Sequence, residues 1–160
     1  MSSFPILEHP CRWLAKTPFL IAAGKQQWQA SEEHATAQDA DWQQRLDSYG
    51  GTAGDEAIEV AECTMAVTAD RAMHLLVVAM PTADAASAEL FDDHGRAGLG
   101  EQADLGVIEN GGSGFMRVDR VYVHLALFYD GINGKPARAI VKRILGDIEP
   151  GLWPRDAGSG

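Results

Sequence analysis

The chain has 160 residues, 46% of them apolar and 22% charged, which is enough to close one hydrophobic core without a structural metal and rules out wholesale disorder. Its net charge of −10 repels nucleic acid and anionic lipid, so neither is expected as a direct partner. The longest apolar stretches, Pro18 to Ala23 and Leu75 to Met80, fall far short of the roughly 20 residues needed to span a bilayer. We therefore expect a single domain over residues 1–160.

In chain order, Pro5, Pro10 and Pro18 break the first twenty residues, which predicts an extended arm with at most one helical turn. Its Phe4, Ile6, Leu7, Trp13 and Leu14 must pack on the core or on a neighbouring subunit. The N-terminal residues lack a basic stretch followed by an apolar run, so they do not read as a secretory signal, and a cytoplasmic setting is expected. In that setting Cys11 and Cys63, the only two cysteines, are expected as reduced thiols more often than as a bridge; a Cys11–Cys63 disulfide stays open.

Residues 25–49 contain no proline or glycine and end at Gly50-Gly51, which predicts a long N-terminal helix. Trp28, Ala35, Trp42 and Tyr49 recur every seven residues and would seal it onto the core, with a partner-helix seam as the minority reading. Glu56 to Thr68 alternates in polarity and Ala72 to Met80 is nearly all apolar, so both read as strands, joined by a short hairpin link. Thr82 or Asp84 can cap a short helix reaching Phe91.

Seven glycines fall between His94 and Gly114, which predicts a Gly-rich loop over 94–114 with a brief edge strand at Leu105, Val107 and Ile108. Phe115 to Tyr129 alternates throughout and reads as one strong strand. A helix then starts at Pro136, with Ala137, Ile140, Val141, Ile144, Leu145 and Ile148 on its buried face; Pro150 and Pro154 end it, and residues 155–160 should fray. The expected fold class is α+β: an antiparallel or mixed sheet of three to four strands, a long N-terminal helix and an amphipathic C-terminal helix.

No motif establishes chemistry. Gly134-Lys135 resembles the end of a phosphate-binding loop, but Tyr129 stands where its first glycine belongs and Pro136 where its Ser or Thr belongs, so a plain turn is the better account. Ser113 lies among glycines without the spacing or the strand-to-helix context of a nucleophile elbow, and Cys63 sits on an expected buried strand face without an activating base. His74, His94 and His124 have no metal-motif spacing; His94 with Asp92 would be the ligands of any metal, and none is expected. No cofactor is implied.

Charge is distributed unevenly. Residues 1–113 hold 18 acids and 6 bases, net −12, whereas residues 114–160 hold 5 acids and 7 bases, net +2. Lys135, Arg138, Lys142 and Arg143 cluster opposite the apolar face of the last helix, a pattern that suits an acidic partner or another copy of the chain. The leading expectation is thus a non-catalytic interaction or assembly protein, a homo-oligomer associating through the Gly-rich loop 94–114, the arm 1–20 and charge-complementary surfaces, with Lys135, Arg138, Lys142, Arg143, Leu105, Ile108 and Phe115 as contact residues. Two alternatives stand beside it. One is an acidic inhibitor presenting Glu32, Glu33, Asp39, Asp41, Glu56, Glu59 and Glu62 to a partner's nucleic-acid site. The other is a small enzyme built on His74, His94 and His124 with acids on the Gly-rich loop.

Overall fold

An alternating stretch and a nearly all-apolar one in the middle of the chain produce two adjacent strands. The computed structural model describes residues 4–22, 27–49, 52–90, 98–132 and 134–154. Among these residues six strands are present: β1 (Gln29–Thr36), β2 (Glu59–Thr68), β3 (Arg71–Ala79), β4 (Gln102–Ile108), β5 (Gly111–Val118) and β6 (Val121–Tyr129). They form one sheet in the order β1-β2-β3-β6-β5-β4, and every neighbouring pair is antiparallel. Three short helices precede it, α1 (Pro5–Glu8), α2 (Pro10–Ala15) and α3 (Pro18–Ala22). Two more follow β1 and β3, namely α4 (Trp42–Ser48) and α5 (Ala83–Ala88), and α6 (Gly134–Ile148) ends in a 3-10 turn at Glu149–Leu152.

One sheet face is sealed by helices. Cys63, Met73, Leu75, Val77, Met116, Val123, Leu125 and Leu127 point into it, all fully buried, and meet Ile6, Leu7, Leu14 and Leu20 from the N-terminal helices and Val141, Ile144, Leu145 and Ile148 from α6. Among the described residues the opposite face is covered where Val60, Leu76, Val78 and Tyr122 meet Leu46, Ala53, Ala57 and Ala86 from α4, α5 and their flanking turns.

Three expectations hold. The β2–β3 hairpin forms, Thr82 Oγ1 accepts the Ala85 N–H at 3.1 Å to cap α5, and α6 buries Ala137, Val141, Ile144, Leu145 and Ile148. Pro136 is the third residue of α6, within the first turn, where its missing N–H breaks no helical bond.

The sheet has six strands, which corrects the expected three to four, and the long N-terminal helix over 25–49 does not form. Its residues make β1, a turn, and α4 instead. The helix-favouring Gln, Ala and Glu composition is overridden because β2 offers a free edge with which Gln29 to Thr36 pair in full register. The seven-residue stripe consequently splits: Trp28 enters the helix-covered core, while Ala35, Trp42 and Tyr49 join the other cluster. Where an extended arm was expected, residues 5–22 form three proline-initiated helices, and Phe4, Ile6, Leu7, Leu14 and Leu20 are buried in the chain's own core.

Of the Gly-rich segment, residues 94–97 lie outside the described residues, as does the expected frayed tail 155–160. From Gln102 the remainder is strand rather than loop. Its glycines serve close approach: a Cβ on Gly114 would come within 3.0 Å of Leu105, Val141 and Leu145, and one on Gly112 within 3.0 Å of Val141. Side chains there would push α6 off the sheet. The single strand expected over 115–129 is two strands, broken at Asp119-Arg120, where Asp119 takes a positive φ of 52° that an aspartate tolerates better than most residues.

The cysteines also depart from expectation. Cys11 on α2 and Cys63 on β2 are joined by a disulfide across 52 residues, tying the N-terminal helices to the sheet.

Candidate interaction surfaces and a histidine-lined recess

The basic cluster follows from the amphipathic pattern of α6. Burying Val141, Ile144 and Leu145 on β4 and β5 leaves Lys135, Arg138, Lys142 and Arg143 exposed on the other side. Lys135, Arg138 and Lys142, with Ala139 and Leu105, line an open groove of about 310 Å³ along the outer edge of β4. Beside it Val107 is 55% exposed. None of the four cations takes part in an ion pair among the described residues. Arg143 belongs to a different groove, about 320 Å³, lined also by Pro18, Phe19, Ala22 and Ile140. Ile108 and Phe115 project from the opposite sheet face, because each is in register with residues of that face, Gly111 and His124. Of the seven predicted contact residues, four therefore meet at one edge and three lie elsewhere.

The acidic counterpart lies at the other end of the sheet. Residues 27–41 contain Glu32, Glu33, Asp39 and Asp41 and no Lys or Arg. Alternation along β1 sends Glu32 to the helix-covered face and Glu33 to the other. Glu32 accepts the Cys11 N–H at 3.0 Å and pairs with His34 at 2.9 Å; Arg45 on α4 reaches Glu33 at 3.1 Å and Asp41 at 3.5 Å. These bonds orient the carboxylates, and the segment stays net acidic.

Both outer strands have backbone groups that the sheet does not use. The Ala37 N–H donates to the Ile58 carbonyl, so by alternation the odd residues of β1 bond to β2 and Ala30, Glu32, His34 and Thr36 face outward. Thr36 is closed off, its N–H donating to Asp39 Oδ2 at 2.8 Å and its carbonyl accepting from the Asp39 N–H. On β4 the two-residue turn at Glu109-Asn110 makes Ile108 and Gly111 a bonded pair, leaving Ala103, Leu105 and Val107 outward. The Leu105 N–H is held by the carboxylate of Asp104 at 2.8 Å, a local guard on an otherwise open edge.

A second feature occupies the partly covered face. His74 and His124 stand on β3 and β6, where His124 is in register with Leu76 and His74 with Ala126, so the two rings are diagonal neighbours. His74 Nδ1 lies 3.3 Å from Thr64 Oγ1, and its ring meets Phe128 edge-on with centroids 5.8 Å apart. Two recesses meet at His124 and Thr52: one of about 150 Å³ with Tyr49, Glu62, His74 and Leu76, and one of about 210 Å³ with Glu89, Leu90, Phe115 and Tyr122. Burial holds the His124 pKa below its ordinary value. Burial, reinforced by Glu33, raises that of Glu62, and burial likewise raises that of Tyr49. Buried Tyr122, pushed up to about 12, donates to the Thr52 carbonyl at 2.8 Å and accepts the Gly54 N–H at 3.0 Å.

Other sequence candidates dissolve. His94 and Asp92 lie outside the described residues, and among those described no group of three or more His, Cys, Asp or Glu side chains is arranged to hold a metal. Cys63 is spent in the disulfide and is not a nucleophile. Ser113 has no hydrogen-bonded base among the described residues; it faces Gly106 and Ala126 from neighbouring strands. Sequence reasoning missed Tyr49, Thr52 and Glu62 as neighbours of the two histidines, since only the β2–β3–β6 register and the return of α4 over the sheet bring them together. No helix among the described residues is long and apolar enough to cross a membrane. Comparison with known proteins yields no family model that matches the chain, and no curated protein or solved structure that matches it significantly.

Proposed function

We propose that the chain is a non-catalytic assembly protein that associates head to tail with copies of itself through surfaces of opposite charge. The observation that carries this reading is placement: four acids in residues 27–41 lie at the β1 end of the sheet, and Lys135, Arg138 and Lys142 lie at the β4 end. Opposite charges at opposite ends of one rigid body favour a heterologous contact, which closes into a ring or continues as a filament. Such a contact weakens as salt screens it. The test is molar mass by light scattering on a size-exclusion column. A multimer in low salt that dissociates in high salt is expected, and a single-chain mass in low salt overturns the reading.

The acidic-inhibitor alternative has less support, because Glu32 and Glu33 alternate onto opposite sheet faces and make no common carboxylate surface. The small-enzyme alternative has one specific observation in its favour, the convergence of Glu62, His74 and His124 on one recess. Its test is a His74→Ala, His124→Ala double variant: any hydrolytic activity found in the purified chain must vanish, and retained activity removes the proposal. The Cys11–Cys63 bridge supports an oxidising compartment over the expected cytoplasm, and thiol counting on protein taken directly from cells decides between them.

A further inference from the structure

We infer that the contact between copies is β-strand addition, the free edge of β4 in one copy pairing with the free edge of β1 in the next, so that the sheet runs on through the assembly. This deepens the self-association reading and rests on it. Three observations carry it.

The first is topology. All six strands alternate in direction, so β1 and β4, at the two ends of the order, run opposite ways. A second copy set beside the first with the same face up therefore offers its β1 antiparallel to β4. An even number of strictly antiparallel strands makes head-to-tail repetition compatible with the ladder, whereas an odd number would force a parallel junction.

The second is chemistry at the edges. Outward backbone groups remain at Ala30, Glu32 and His34 on β1 and at Ala103, Leu105 and Val107 on β4, over strands of 8 and 7 residues. Long open edges of this kind are templates for another strand. Among the described residues the one guard on β4 is the Asp104 carboxylate at the Leu105 N–H, a bond that an incoming carbonyl replaces.

The third is charge, which selects the second copy as occupant and chooses β4–β1 over β1–β1 or β4–β4. The helix α6 overhangs the β4 edge on the helix-covered face, where the cations of the Leu105 groove lie. In the continued sheet that face of the neighbouring β1 carries Glu32. On that face β1 against β1 would oppose two copies of Glu32, and β4 against β4 two sets of Lys135, Arg138 and Lys142, so both like pairings are repelled there; the open face, with Asp104 on β4 and Glu33 on β1, is like-charged in every pairing and does not discriminate. Val107, exposed at this edge, would be covered by the junction.

The experiment uses two blocked copies of the full chain. His34→Pro disables the β1 edge and Val107→Pro the β4 edge; each of these N–H groups points away from the sheet, so proline removes no ladder bond, and His34→Pro gives up only the exposed side-chain pair with Glu32. Circular dichroism checks that both variants fold. Each alone should run at the mass of one chain where the unmodified protein is multimeric, and an equimolar mixture should give a complex of two chains and nothing larger. If either variant alone still forms the full multimer, edge pairing is overturned while charge-driven association survives. If the unmodified chain is itself monomeric in low salt, both readings fall. Should a proline variant fail to fold, Lys142→Glu and Glu32→Lys provide the same test: each is expected to associate at least tenfold more weakly alone, and mixing the two should restore assembly. No recovery on mixing sinks the β4–β1 pairing.

Discussion

The two faces of the sheet are made by the same six strands yet have different fates. Leu125 and Ala126 are adjacent on β6; the first is fully buried beneath the helices, and the second belongs to a face that α4 and α5 cover only in part. On the covered face the register stacks Leu75 against Leu125 and Met73 against Leu127, whereas on the other it sets Thr64 beside His74 and Leu76 beside His124. Covering one face with aliphatic side chains concentrates stability there, and the titratable groups collect where cover is incomplete.

The largest expected effect probes the sealed face. Leu125→Ala should cost about 2–5 kcal/mol in chemical denaturation, while Ser113→Ala on the open face should change stability by no more than about 0.5 kcal/mol. Comparable losses from both would break the contrast. Next comes the tie that holds α2 to the sealed face: the Cys11→Ala, Cys63→Ala double variant should lose about 2–4 kcal/mol, because the bridge closes a 52-residue separation in the unfolded chain. An unchanged denaturation midpoint would mean that helix packing alone holds that side.

Tyr122→Phe addresses the part of the second face that is covered. It leaves the Gly54 N–H and Thr52 carbonyl without their buried partner and should cost about 1–2 kcal/mol by thermal or chemical unfolding. The smallest effects belong to the recess. Glu62 has a raised pKa in the folded state, so folding is favoured when it is protonated, and that contribution is lost as pH rises from its unfolded value through the folded one. Glu62→Gln should therefore stabilise the protein at neutral pH, by less than about 1 kcal/mol given its partial exposure. His124 has the opposite sign. Its folded pKa lies below 6.5, so it opposes folding as pH falls through 6.5 toward the folded value, and NMR should find its midpoint below that of an exposed histidine. A His124 midpoint at or above 6.5 would contradict the recess as a desolvated site.

Legibility in the sequence followed how local the cause was. The C-terminal helix was readable because its apolar spacing and flanking prolines lie within twenty residues, and the β2–β3 hairpin because both strands and their link are contiguous. The β1 strand was not readable: Glu32, Glu33 and their Gln and Ala neighbours favour a helix locally, and only the open edge of β2 draws them into the sheet. The glycines at 112 and 114 suggested freedom because their use, letting α6 lie against β5, involves residues thirty positions away. Asp119-Arg120 lacked the Asn-Gly signature that marks a tight hairpin, so two strands read as one. Of the candidate surfaces, the cations of α6 were legible as a cluster, since helical spacing alone groups them; that Leu105 joins them, and that Ile108 and Phe115 do not, depended on the β4–β5 register.

The sequence by itself determined an acidic α+β chain, the central hairpin, the amphipathic last helix and the opposite net charge of residues 1–113 and 114–160, because composition and short-range periodicity are properties of neighbouring residues. Tertiary structure alone decided that Glu32 and Glu33 on β1 and the cations of α6 stand toward opposite ends of one antiparallel sheet, that Cys11 meets Cys63, and that His74, His124 and Glu62 share a recess. Each depends on strand order and register, which are set by pairings between distant segments and leave no local trace in the chain.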